Sequence, residues 1–364
     1  MAVRCTEQID IKAFRSQLVD WFYQNQRDLP WRENRDPYRV WVSEIMLQQT
    51  RVDTVIPYFL NFMRQFPALE NFAEASEDEI LKAWEGLGYY SRVRNLQTAV
   101  REVVSEYGGV VPNSREAIST LKGVGPYTAG AILSIAYNKA EPAVDGNVMR
   151  VMSRVLVIDE DIAKAKTRKT FENELYEIID PEDPSAFNQG LMELGALVCA
   201  PTSPGCLLCP VQNQCGAYEQ GLQNELPVKT KKKKAIPKNM AAFLIKNKDG
   251  DYLIEKRSEK GLLAGLWQFP NFEVVSQGNL DELKQGLVNE YGINTYKHVE
   301  PVQQIEHVFS HIIWNISVYV AEAEHVESSK GTVLKWVSKS GLEKYAFPVS
   351  HQKIITHTIR GEAK

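Results

Sequence analysis

Four of the five cysteines in this 364-residue chain fall in one stretch, CAPTSPGCLLCPVQNQC (residues 199–215), with six, two and five residues between them. Pro201, Pro204, Gly205 and Pro210 interrupt any helix or strand here, so the stretch is a loop that closes on its thiols. In a reducing compartment clustered thiols serve as metal ligands or redox groups more often than as disulfides. Four thiolates meeting at one point suit zinc or a 4Fe-4S cluster. The usual zinc pattern of two separated Cys-x-x-Cys pairs is absent, and the spacing leaves the metal open. Cys5 is remote from the set. The opening residues, MAVRCTEQIDIKAFRSQ, hold no apolar run flanked by basic residues, and no segment gives about 18 uninterrupted apolar residues. A cytoplasmic protein with no membrane association is expected.

From Ile11 to about Gly221 apolar residues recur at spacings of three and four, as in FRSQLVDWFYQ, WVSEIMLQQTRVDTVIPYFLNFM and FNQGLMELGALVC. This half is predicted to be all-helical. LPVKTKKKKAIPKNM, bracketed by Pro227 and Pro237, reads as a basic linker that is either simply solvated or in contact with phosphate. Beyond Asn239 the period falls to two: AAFLIKNKDGDYLIEKR predicts two strands around a Lys-Asp-Gly turn, with HIIWNISVYVAEA and TVLKWVS as further strands. The expected organisation is a multidomain chain, all-α over 1–220, a linker over 221–238 and α+β over 239–364. A hydrophobic share of 44% supplies two cores, and a net charge of −4 argues against a uniformly basic coat while allowing a local basic track.

Three places in the helical half carry candidate chemistry. LKGVGPYTAGAI sets Gly123 and Gly125 between two helical runs, where a glycine turn can aim backbone N–H groups and a helix N-terminus at an oxyanion. On a helix, WVSEIMLQQT surrounds Glu44 with Trp41, Val42, Ile45, Met46 and Leu47, so desolvation should raise its pKa and let it give a proton near neutral pH. Asp145 in AVDGNVMRVM stands just before a helix as a natural N-cap, where the helix dipole is expected to keep it ionised. A plain connector, an ion-paired boundary glutamate and a simple cap are the structural alternatives. One group poised as acid beside one poised as anion suits cleavage of an N-glycosidic bond, in which the base leaves protonated and the sugar becomes oxocarbenium-like.

The cysteine spacing, the glycine hairpin and the two carboxylates together resemble the helix-hairpin-helix DNA glycosylases, which include endonuclease III and the adenine DNA glycosylases. The resemblance covers nearly the whole chain. It implies a 4Fe-4S cluster on Cys199, Cys206, Cys209 and Cys215, and a hairpin over about 113–137 that contacts DNA through Gly123 and Gly125. Lyase members carry a lysine where this chain has Tyr127, which cannot form an imine, so a monofunctional enzyme is implied. Glu44 then protonates adenine at N7 and helps activate water, Asp145 stabilises the oxocarbenium ion or forms a transient covalent sugar adduct, and Tyr127 and Asn147 complete the pocket. RDLPWR, LQQTRV and GLGYYSR are similar to adenine-glycosylase motifs and bring Arg27, Leu29, Trp31, Arg32, Gln49, Thr50, Val52, Leu87, Gly88 and Tyr89 to the DNA. Gln49 and Tyr89 fall where the family wedges side chains into the duplex.

In the second half GLLAGLWQFPNFE followed by LVNEYGI resembles a decayed Nudix fold. The Nudix helix R-E-U-x-E-E-x-G-U, with U aliphatic, here reads Gln285 to Ile293, and two of its three acidic metal ligands are gone. A magnesium-dependent pyrophosphohydrolase needs those carboxylates, so a recognition module is expected instead. The Phe309, Ser310 and His311 triplet then falls where adenine glycosylases contact 8-oxoguanine. The expected partner is duplex DNA holding 8-oxoguanine:adenine or guanine:adenine mispairs, bound by a monomer. An endonuclease-III-like lyase is disfavoured by Tyr127 and the extra domain; a non-catalytic DNA-binding module would have no need of Glu44 and Asp145.

Overall fold

Local capping chemistry cuts the first half into helices. In the computed structural model, which describes residues 9–230, 234–294, 300–329 and 331–361, these are α1 (Ile11–Asn25), α2 (Pro37–Leu47), α3 (Val52–Gln65), α4 (Leu69–Glu74), α5 (Glu77–Ala83), α6 (Ser91–Glu106), α7 (Arg115–Ile118), α8 (Pro126–Ile135), α9 (Gly146–Val155), α10 (Ala165–Ile178), α11 (Pro184–Leu197) and α12 (Gly216–Glu219). Asp10, Asp36, Asp145 and Asp183 each accept a hydrogen bond from a backbone N–H of the following first turn, starting α1, α2, α9 and α11. Ser76 and Glu79 form a reciprocal capping box on α5. The single helical run anticipated from Trp41 to Met63 is in fact two helices, because Gln49 takes a left-handed conformation (φ +61°) and breaks the ladder.

Phe14 and Leu18 of α1, Val148, Val151 and Met152 of α9, and Phe187, Leu191 and Leu194 of α11 bury against one another. Each such side chain stabilises the fold by about 1.5–3 kcal/mol relative to exposure. This packing fixes α9 and α11, which carry much of the site.

The second half holds β1 (Ile236–Lys246), β2 (Tyr252–Lys256), β3 (Trp267–Gln268), β4 (Asn271–Val274), α13 (Leu280–Tyr291), β5 (Gln303–Val308), β6 (Ile312–Glu322), β7 (Leu334–Val337) and α14 (Val349–Ile354). The sheet order is β3-β2-β1-β6-β5, with β4 also on β1 and β7 on β2. β1 and β6 run parallel while the other pairs are antiparallel. Along β1, Met240, Ala242 and Leu244 enter one core and Ala241, Phe243 and Ile245 the other, so both faces of the strand are covered and it reads as one apolar run. The anticipated Lys-Asp-Gly hairpin forms, with Lys246 opposite Tyr252 and Gly250 at φ +82°.

The chain divides into two compact units, Met1–Glu74 with Arg94–Lys231 and Ala75–Val93 with Lys232–Lys364. Ala75–Val93, which carries α5 and the first residues of α6, groups with the sheet unit, and β1 starts at Ile236, inside the 221–238 stretch expected to be linker. Cys5 and the middle of the lysine run lie outside the described residues. No helix among the described residues is long and apolar enough to cross a membrane.

Candidate active site

Glu44 lies late in α2 and is only 5% exposed. Burial pushes its carboxyl up to about 7; the negative charge of Asp145 adds to the rise, and a hydrogen bond from Tyr127 and the charge of Arg32 oppose it. The donor is the Tyr127 hydroxyl at the start of α8, placed by Pro126 at the first helical position. Burial and the charge of Glu44 hold Tyr127 well above the usual phenol range, so it remains a donor.

Asp145 caps α9: one carboxyl oxygen accepts from Val148 N–H at 2.7 Å and the other from the Asn147 side-chain amide at 3.2 Å. Here the sequence expectation needs correction. Burial raises the Asp145 pKa, outweighing the Val148 and Asn147 hydrogen bonds and the charge of Arg150, so both carboxyls are pushed the same way. What separates them is their donors and their mutual repulsion. Asp145 is held by amide N–H groups that favour its anion, and that anion in turn favours protonated Glu44.

Asn147 is held in turn, its side-chain oxygen accepting from Arg150 at 2.8 Å. Opposite it Gly195 of α11 lets the helices close: a Cβ there would come within 2.7 Å of Asn147 Cβ. Glu44, Tyr127, Asp145 and Asn147 all line one cavity of about 620 Å³, within the helical unit. Arg27, Leu29, Trp31, Arg32, Gln49, Thr50, Val52, Gly123 and Gly125 line it too.

Their roles in the cavity differ. Leu29 and Trp31 are buried, Trp31 edge-on to Phe59, so these side chains belong to the core. The Arg27 guanidinium is engaged by Glu193 (2.8 and 3.0 Å), and Arg32 joins the same carboxylate at 3.0 Å. Sequence reasoning missed Glu193. It is 1% exposed, and although burial opposes its charge, the two guanidiniums hold its pKa down at about 2. The available signal was an acidic residue amid the apolar face of MELGAL, with two arginines in RDLPWR to answer it. Gln48 was also missed; it lines the cavity, its amide 3.4 Å from Thr128 Oγ1.

In the glycine hairpin, Gly123 sits at φ +82°, and a Cβ there would come 2.9 Å from Asn95 Cβ. Gly125 is different. Its φ of −90° suits any residue and nothing lies within 4 Å of a Cβ built there, so the chain itself does not demand glycine. Its bare backbone leaves the first turn of α8 open to an approaching anion.

Gln49 (φ +61°) and Tyr89 (φ +46°) are exposed residues in the left-handed region. Asn138, Val157, Ser203 and Leu263 share that conformation, and Asn138 and Ser203 are exposed as well, so neither backbone nor exposure singles the pair out. Leu87 is buried and Gly88 stands at φ +71°. In the sheet unit Phe309, Ser310 and His311 form the tight connection between β5 and β6, closed by Phe309 N–H to Ile312 O at 2.8 Å. Phe309 packs edge-on against Trp314, while Ser310 and His311 are exposed. The Tyr89 and Ser310 hydroxyls are hydrogen-bonded at 2.5 Å, within that same unit.

Cys199, Cys206, Cys209 and Cys215 line a second, small cavity of about 30 Å³ in the helical unit, walled by Val151, Leu194, Val198 and Val211. Burial pushes the Cys209 thiol up to about 12 and raises Cys206 and Cys215, the neighbouring thiolates adding to each rise. As they stand, no group of three or more His, Cys, Asp or Glu among the described residues is set to hold a metal ion. The donor chemistry nevertheless fits a thiolate-bound group: four soft ligands face one apolar cavity, and their ionisation calls for compensating positive charge.

Comparison with known proteins finds two families along the chain. A family described as HhH-GPD superfamily base excision DNA repair protein matches residues 42–177, and a NUDIX domain matches residues 241–357. Adenine DNA glycosylase of Mus musculus is 36% identical over 373 residues, covering 88% of this chain and 72% of that protein. The corresponding protein of Buchnera aphidicola (subsp. Schizaphis graminum) is 35% identical, covering 95% of this chain and 98% of its own. A thermostable thymine-DNA glycosylase structure superposes with a TM-score of 0.52 at 30% identity, covering 58% of this chain and 97% of the other. A trapped endonuclease III–DNA intermediate shares the fold (TM-score 0.50, 21% identity, 59% of this chain and 99% of that chain).

Proposed function

The chain belongs to the adenine DNA glycosylases, and on that premise we propose that it hydrolyses the N-glycosidic bond of adenine mispaired with 8-oxoguanine or guanine in duplex DNA. The observation that carries this reading is the Glu44 carboxyl, buried, raised to about 7 and hydrogen-bonded by Tyr127, in one cavity with Asp145.

The target adenine leaves the stack and enters that cavity, the turn at Gly123 and Gly125 gripping a phosphate while Gln49 and Tyr89 fill the gap in the duplex. Protonated Glu44 gives its proton to adenine N7, and the C1′–N9 bond breaks with its electron pair going to the base. The sugar becomes an oxocarbenium ion facing the Asp145 carboxylate, which Asn147 steadies. Water adds at C1′ and its proton returns to Glu44. Tyr127 offers no amine, so no imine forms and the strand is not cut by this route. Ser310 and His311, with hydrogen-bonding groups exposed on a tight turn, read the lesion strand, and Phe309 anchors them. Cys199, Cys206, Cys209 and Cys215 would hold a 4Fe-4S cluster, which when bound ties the loop down. The protein works as a monomer, with chemistry in the helical region 1–220 and lesion reading in 239–364.

Glu44→Gln keeps the shape of the side chain and removes the proton. We expect DNA binding within about threefold of wild type and adenine release under single turnover reduced by at least about 10³-fold. Near-normal release would overturn the acid assignment.

A further inference from the structure

Arg154, near the C-terminal end of α9, is 2% exposed and all three of its guanidinium nitrogens donate hydrogen bonds. Nε donates to Leu226 O at 2.9 Å, Nη1 to Ala200 O at 2.8 Å and to Cys199 Sγ at 3.1 Å, and Nη2 to Pro201 O at 3.2 Å. None of these acceptors is a carboxylate. The contrast with Arg27 and Arg32 is sharp, since those two share the Glu193 carboxylate. A buried cation facing only neutral oxygens and one sulfur is costly unless an anion completes its surroundings. The loop 199–215 contains no lysine or arginine, so four thiolates gathered there bring negative charge and nothing of their own to offset it. The neighbouring Arg150 also feels the charge of the Cys199 thiolate, but its hydrogen bonds go elsewhere: its Nε donates to the Cys199 carbonyl oxygen at 2.8 Å and its Nη2 to Asn147 and Gly195.

We infer that Arg154 is the counter-cation of the four-cysteine site: its buried guanidinium, hydrogen-bonded to Cys199 Sγ, offsets the charge of the thiolate-bound group and favours that group's reduced, more negative form. Arg154 is thus a positioning residue for the cofactor, and it rests on the cofactor reading given above. Positive charge and hydrogen bonds at ligand sulfur both raise the reduction potential of an iron–sulfur centre. Removing the charge should lower it.

The test uses the full chain as wild type, Arg154→Gln and Arg154→Lys, comparing iron per protein, absorption at about 400 nm and midpoint potential. The expected result is wild-type iron and potential in Arg154→Lys. In Arg154→Gln we expect a potential lowered by about 59 mV or more, a tenfold change in the oxidised-to-reduced ratio, or loss of iron that Arg154→Lys retains. Full iron and an unchanged potential in Arg154→Gln would overturn the inference, and so would an Arg154→Lys as defective as Arg154→Gln, because shape rather than charge would then be what matters. Wild-type protein carrying zinc in place of iron would defeat the cofactor reading itself, which distinguishes the two failures.

Discussion

Glu44 and Asp145 compete for a proton in one cavity, and the hydrogen-bond donors decide which keeps it. With Glu44 as the proposed acid, its pKa of about 7 predicts that the rate of excision by free enzyme falls as pH rises through about 7. The same shift has a stability consequence. A carboxyl raised from an ordinary value near 4.5 binds more protons in the folded than in the unfolded chain between those limits. Stability is therefore fully present below the unfolded pKa and is lost as pH rises through about 7, by an amount on the order of 3 kcal/mol. Glu44→Gln should remove this loss, so that chemical denaturation at pH 8 against pH 5 shows a smaller drop than in wild type. Asp145→Asn separates capping from catalysis, because asparagine caps a helix about as well as aspartate. It should abolish excision while shifting the melting temperature by only a few degrees; a large loss of stability with near-normal excision would mean the aspartate serves α9 alone.

Among the elements, the crossing of α9 and α11 positions the site most directly. A Cβ on Gly195 would meet Asn147 Cβ at 2.7 Å, so Gly195→Val must push the start of α9, and with it Asp145, out of place. Excision should fall at least about tenfold for a stability cost of about 1–3 kcal/mol; single-turnover kinetics alongside denaturation would show whether activity suffers more than stability. This crossing also marks what the letters could and could not tell. The Glu44 helix, the Asp145 cap, the four cysteines and the period-two strands of the second half are all local patterns, and each was legible. The break at Gln49 was not, because apolar spacing continues across it and only the backbone conformation interrupts the helix. Glu193 was missed because its partners Arg27 and Arg32 stand more than 150 residues away in sequence. The sign of the Asp145 shift was misjudged for a related reason: the cap is local, but the burial that outweighs it comes from elements distant in sequence.

On the scale of the whole molecule, the proposed function divides between the cavity of the helical unit, for base removal, and the β5–β6 turn, for lesion reading. Ser310→Ala combined with His311→Ala should narrow the preference for 8-oxoguanine:adenine over guanine:adenine by about 1–3 kcal/mol while leaving the guanine:adenine rate largely intact. An unchanged ratio of single-turnover rates would move lesion reading elsewhere. The central claim is put to the test by measuring base release and strand scission, at one salt concentration and with enzyme in excess, from duplexes carrying adenine opposite 8-oxoguanine, guanine, cytosine or thymine, with an oxidised-pyrimidine duplex alongside. Adenine release is expected to be fastest opposite 8-oxoguanine, slower opposite guanine and negligible otherwise, with the strand left uncut until base treatment. Release of the oxidised pyrimidine, or strand scission without release of adenine, would contradict it.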